Sequence, residues 1–242
     1  MTLFRFPKPL PVFGLLALGL AALCGPLPSA RGDSDSEKPT PKGGYRITIE
    51  GEVDEKLAPV AGKLTEAFYE SYPKLVKRLE NPDKAAPRHI TVRFKTGIKV
   101  PAYCTGDMIT VSVEWLTEHP EDIGMLTHEL THAVQGYPKG EPGWFTEGLA
   151  DYTRKIYGPK DQPGWALPEK LTPKNSYRQS YRVSARFLEW LDGKHPGAVD
   201  KLHHKMQTGE FVVEDFERVT GTPLDTLWTQ CVEELQKPAA AQ

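Results

Sequence analysis

Cysteine is scarce in this sequence: three residues in 242, at positions 24, 104 and 231. That excludes a disulfide-stapled scaffold and a cysteine-rich metal module. Basic excess is also missing, since 30 Lys and Arg stand against 32 Asp and Glu, a net charge of −2. Nucleic acid is therefore not an expected partner. The longest apolar run, Val12 to Leu23, falls short of the roughly 20 residues that a membrane span needs. No internal repeat is visible, which excludes solenoids and propellers.

What is present begins with an export pattern. Arg5 and Lys8 precede the apolar run, which breaks at Gly25-Pro26, and small residues flank Arg31 in Ala30-Arg31-Gly32. A cationic start, a short apolar stretch and a small-residue site make a secretory signal over residues 1–32, so the protein is expected to be secreted. A retained signal anchor is the lesser alternative. Bulky Leu23 before Cys24 argues against a lipoprotein site. Without the first 32 residues the chain carries 27 basic and 32 acidic side chains, so the mature protein is mildly acidic. Cys104 and Cys231 then remain, as free thiols or as a pair.

Residues 33–43 are polar and proline-bearing and read as a linker. Tyr45–Glu50 and His89–Phe94 alternate as strands, and Lys56–Leu79 reads as a helix bent or interrupted near Pro73. Ala102–Thr105, then Gly106-Asp107, then Met108–Val113 has the form of a hairpin with a two-residue turn. Ala102–Thr105 suits an edge strand, able to pair with an extended substrate. After residue 120 the strand signals stop and helices follow, up to a tail at 238–242. The fold class expected over residues 44–237 is α+β: a small mixed-sheet lobe, then a helical lobe, with the site between them.

That site centres on Met125-Leu-Thr-His128-Glu129-Leu-Thr-His132-Ala-Val. Histidines four apart on a helix point the same way and suit one zinc ion, while Glu129 stands beside them as a proton acceptor. Composition alone yields about 0.02 such motifs in a chain like this, so the bare pattern needs context. Leu126, Leu130, Ala133, Tyr137, Ile123 and Val134 form one apolar stripe, and the three ionisable groups lie opposite it. The following segment repeats the design. Phe145, Leu149, Tyr152 and Ile156 make its stripe, and Glu147 and Asp151 lie together on the other side. Glu147 is the expected third ligand, and Asp151 the expected acceptor for a ligand's ring N–H. The rival pattern H-E-x-x-H-x-x-G-x-x-H demands Gly at 135 and His at 138, where this chain has Gln135 and Pro138.

His128-Glu-Leu-Thr-His132-Ala-Val-Gln135 and Trp144-Phe-Thr-Glu-Gly-Leu-Ala-Asp-Tyr152 together resemble the plant basic secretory protein family and its bacterial relatives, a gluzincin-type group. Tyr181–Trp190 and Pro223–Trp228 are similar to that family's later helices, and the resemblance covers roughly residues 45–235. It implies a zincin-like fold, one zinc per chain, and endopeptidase action on a peptide or protein. By position, His128, His132 and Glu147 are then ligands and Glu129 the general base. The chain departs from the family's name in not being basic, so the plant members' defence roles do not transfer. Tyr181 lies within the similar stretch, and it or Tyr177 suits the hydrogen bond that zincins often give the tetrahedral intermediate. His203-His204, adjacent rather than four apart, reads as a solvated pair. Two other classes fit the same motifs: a binding protein of this fold without catalysis, and a zinc hydrolase of some non-peptide bond.

Overall fold

Parallel neighbouring strands need a long crossover between them. In the computed structural model, which describes residues 43–81, 83–138, 142–179 and 181–236, β1 (Arg46–Gly51) and β2 (His89–Lys95) are such a pair, with Ile47 opposite Ile90 and Ile49 opposite Val92. Helix α1 (Ala58–Leu79) is their crossover. Its buried positions, including Val60, Leu64, Phe68, Tyr72, Leu75 and Leu79, recur every three to four residues. The helix runs unbroken through Pro73, so the expected interruption does not occur. Burial of the turns on both sides, Leu64 to Tyr72 and Leu75 to Leu79, outweighs the one backbone bond that proline cannot donate.

The hairpin forms as the sequence indicates. β3 (Ala102–Thr105) lies antiparallel to β4 (Met108–Ser112), with Thr105 opposite Met108 across Gly106-Asp107. Gly106 has φ +64°, which a two-residue turn requires and glycine permits. β4 pairs parallel with β2, giving the order β1-β2-β4-β3 and leaving β3 at an edge. The last strand ends one residue early because the Ser112 hydroxyl accepts a hydrogen bond from Trp115 N–H, capping a short helix that the strand pattern had hidden, α2 (Val113–Glu118).

Helices fill the rest: α3 (Gly124–Gln135), α4 (Gly143–Tyr157), α5 (Tyr181–Lys194), α6 (Ala198–Thr208), α7 (Asp215–Thr220) and α8 (Leu224–Gln236). The described residues thus form four strands and eight helices, a mixed α+β architecture. None of these helices is long and apolar enough to cross a membrane. The signal, all of the linker except Gly43, and the tail lie outside the described residues.

Helix α3 occupies the centre. Its stripe residues Ile123, Leu126, Leu130 and Val134 are buried as expected, and so are Thr127 and Thr131 on another side. The Thr131 hydroxyl lies 2.6 Å from that of Thr153 and fastens α3 to α4. Ile156 departs from its expected place in the α4 core. It falls in the helix's last turn, where it is 40% exposed. Arg78 of α1 binds Asp192 and Asp200 at 2.9 and 2.8 Å, and Tyr152 also donates to Asp192, so α1, α4, α5 and α6 share one charge network. Cys104 and Cys231 are free thiols.

The histidine pair at 203–204 is divided rather than solvated together. His204 is exposed, but His203 is fully buried. Its Nε2 sits 2.8 Å from the Leu79 carbonyl, an acceptor only, so Nε2 carries the proton and Nδ1 accepts from the Tyr137 hydroxyl at 2.7 Å. Burial lowers its pKa from 6.5 to about 4. Above pH 6.5 both folded and unfolded states hold a neutral ring. Between pH 6.5 and 4 only the unfolded state takes the proton, so stability falls as pH falls through that window, by about 3 kcal/mol. Urea unfolding at pH 7 and pH 4.5 checks this. The wild type should lose more stability between the two than His203→Gln does, and equal losses would remove His203 as a cause.

Candidate metal centre

Two helices bring the chemistry together. α3 ends at Gly136, whose φ of +52° lets the chain leave the helix, and α4 starts after extended Pro142. His128 and His132 project from α3 toward Glu147 on α4. Their Nε2 atoms stand 3.1 Å apart, and Glu147 Oε2 lies 3.2 Å from one and 3.3 Å from the other. These three residues form a group able to hold a metal ion.

The far side of each ring decides what the near side offers. Asp151 Oδ1 lies 2.7 Å from His128 Nδ1, and a carboxylate accepts, so Nδ1 carries the proton. Gln135 does the same for His132. Its Nε2 donates to the Thr146 carbonyl at 2.9 Å, which turns its Oε1 toward His132 Nδ1 at 2.7 Å. When neutral, both rings therefore aim Nε2 lone pairs at each other and at a carboxylate oxygen. Three acceptors converge with no donor among them. Ligands on a tetrahedral ion at 2.0–2.1 Å sit about 3.3–3.4 Å apart, so the observed spacing fits such an ion.

Without an ion between them, the converging acceptors take up a proton instead. Burial lowers the proton affinity of His128, but Asp151 and Glu147 overcome it and raise its pKa to about 10. Burial raises that of Glu147, but the two imidazoles bring its pKa down to about 2. The site holds negative charge and calls for a cation at its centre. Glu129, 7% exposed, makes no hydrogen bond with a described residue and lines the adjoining cleft. Burial raises its proton affinity, and His128 and His132 pull it back.

The cleft measures about 1130 Å³. Its lining joins α3 and α4 to Ala102, Tyr103 and Cys104 of edge strand β3, to Trp115 and Trp165, and to Tyr181 and Arg182 at the start of α5. The Tyr181 ring centre lies 6.0 Å from that of His128. Tyr177 does not reach the cleft. It precedes α5, is 3% exposed among Trp144, Phe187 and Trp228, and donates to Asp225. The structure therefore leaves Tyr181 alone of the two tyrosines beside the site. Gln135 is a functional residue that the motif pattern does not mark, although its position three residues after His132 puts it on that ring's side of the helix.

α4 also has to lie close to α5. A Cβ on Gly148, next to Glu147, would stand 2.6 Å from Ser184 Cβ. Glycine at 148 permits the approach that seats the carboxylate beside Tyr181.

Comparison with known sequences and structures places these residues in context. The sequence family described as "Peptidase of plants and bacteria" matches residues 42–231. No curated protein matches. Among solved structures, a functionally unknown conserved protein from Bacillus anthracis str. Ames is similar at 15% identity and a TM-score of 0.38. The similarity covers 78% of this chain and 48% of that one, so the chain spans about half the length of that structure.

The purified protein should bind about one divalent metal ion per chain, as elemental analysis will show. Glu147→Ala should lose most of it, and full occupancy in that variant would place the third ligand elsewhere. Asp151→Asn and Gln135→Ala should each weaken metal affinity by roughly 10–100-fold without abolishing it. Unchanged affinity in a competitive chelator titration would remove the residue concerned from the site.

Proposed function

The chain belongs to the BSP family, peptidases of plants and bacteria, and from that premise we propose that it is an exported, zinc-dependent endopeptidase with a zincin-like fold. One observation carries the reading. Two histidine nitrogens and a glutamate oxygen converge at 3.1–3.3 Å, in a cleft that also exposes the unbonded carboxylate of Glu129. Two histidines and a glutamate are a ligand set for catalytic zinc, with a position left open. Export follows from the N-terminal cationic and apolar pattern.

A zinc ion held by His128, His132 and Glu147 supplies Lewis acidity for the peptide carbonyl and a more acidic water. Glu129 moves the proton. Its carboxylate takes one from the attacking water and delivers it to the departing amine nitrogen, and its two opposed influences, burial and the neighbouring imidazoles, suit it to both transfers. Asp151 and Gln135 hold the two rings in the tautomer that keeps Nε2 free. Tyr181 faces the carbonyl oxygen as negative charge develops on it. The charge of Glu147, with partial burial, raises the phenol's pKa, so it stays protonated and donates. Edge strand β3 offers its unpaired side to an extended substrate backbone, with Cys104 beside Glu129 on the cleft wall.

Glu129→Gln tests the proposal with little change of shape. It should fold and retain zinc while losing roughly 10²–10⁴-fold of its activity on casein, because an amide cannot take the proton. A zinc-loaded Glu129→Gln protein cutting casein at the wild-type rate would sink the mechanism. A zinc-loaded wild type that cleaves no peptide would favour a non-peptide substrate or a binding role. Tyr181→Phe should lower kcat more than it alters KM, since the hydroxyl acts on charge that appears only in the transition state.

A further inference from the structure

Nearly every charge in the cleft is matched. His128 and His132 face Glu147, and His128 also holds Asp151. Arg154 binds Asp122 at 2.6 Å and lies 4.2 Å over the Trp165 ring. His119 stands 3.7 Å from Glu121. Glu129 at the metal centre and Arg182 are the exceptions, and Arg182 is the cation of the two. It is exposed, lines the cleft one residue beyond Tyr181, and forms no hydrogen bond or ion pair with a described residue.

Its surroundings favour an anion. Arg154 lies close enough for the two like charges to act on each other: burial, and in smaller part Arg182, lower the proton affinity of Arg154. Asp122 already answers Arg154, whereas none of the described residues answers Arg182. A guanidinium is a planar fork that matches a carboxylate through two parallel hydrogen bonds. Tyr181, its neighbour in sequence, has its ring centre 6.0 Å from that of His128, and both Tyr181 and Arg182 line the cleft that holds the metal-binding group.

We infer that Arg182 is a specificity-determining residue, which binds a substrate carboxylate close to the bond acted on at the metal centre. The assignment rests on the peptidase reading above. Two sources supply that group, an acidic side chain and the C-terminal carboxylate. Trp115 and Trp165 in the same cleft offer apolar surface to the residues on either side.

The test separates selectivity from turnover. Fluorescein-labelled, alanine-based hexapeptides carry one Glu, Gln or Lys at each position in turn, each made as a C-terminal acid and as an amide. Anisotropy measures their binding to zinc-loaded Glu129→Gln, which holds peptides without consuming them, with and without a second substitution at Arg182. One carboxylate should bind about tenfold tighter than its neutral twin, as a charge-assisted pair in a half-open cleft allows, and less so as salt is added. An internal Glu identifies a side-chain site, and the acid-over-amide pair identifies a terminus. Arg182→Gln should abolish the preference, and Arg182→Glu should turn it toward Lys. A preference that survives Arg182→Gln, or no preference at all, overturns the assignment and leaves Arg182 a solvated surface residue. If the wild type cleaves nothing while Arg182-dependent selectivity persists, the peptidase reading fails and the carboxylate site stands.

Discussion

Two ring protons fix what this site can be. His128 donates its Nδ1–H to Asp151 and His132 donates its own to Gln135, and each acceptor oxygen faces its ring without a proton to offer. Both Nε2 lone pairs are thereby committed inward, onto a carboxylate oxygen. Three contacts of α3, α4 and α5 support that convergence. The Thr131–Thr153 contact sets the distance between α3 and α4, the Gln135 bond to the Thr146 carbonyl ties the end of one to the start of the other, and Gly148 lets α5 approach. A site assembled from acceptors alone is costly without a cation, because buried lone pairs facing one another lose the hydrogen bonds they would have in water. The residues around it are accordingly packed and bonded rather than free to turn away.

The sheet contributes a boundary rather than chemistry. Its parallel strands β1, β2 and β4 are anchored by Ile47, Ile90, Val92 and Ile109, all at most 1% exposed. Among the described strands only β3 reaches the cleft, with intermediate and exposed positions alternating along it. An edge that natural proteins usually guard is here set along the wall of the cleft.

Much of this was legible in the sequence wherever a local rule governed. The hairpin was readable to the residue at β3 because a two-residue turn with glycine fixes register. His128, Glu129, His132, Glu147 and Asp151 were readable because helical periodicity places them on facing sides. The family was readable from those same segments. Failures came where a distant partner decided the outcome. His203 is buried because the Leu79 carbonyl and the Tyr137 hydroxyl wait for it, and the neighbouring His204 gives no hint of that. Tyr177 joins an aromatic cluster gathered from four helices, with Trp144, Phe187, Phe216 and Trp228. Gln135 served as evidence against a rival motif while its own work went unseen. An amide has no charge to draw attention to it, and its orientation depends on a carbonyl across the loop.

The ligands' closeness along the chain has a consequence for assembly. His128 and Glu147 are 19 residues apart, whereas the first parallel pair, Arg46 with His89, closes a span of 43. On a flexible-chain estimate the longer closure costs about 0.7 kcal/mol more entropy. It also waits for a 22-residue helix to span the gap. Folding rates fall as contacts become less local, so the helix pair bearing His128, His132 and Glu147 closes over a shorter span than the parallel pairing of β1 with β2, the slower part to form. Under the zinc reading proposed above, an ion captured by that pair would stabilise α3 and α4 ahead of the β1–β2 pairing, and the metal would take part in folding.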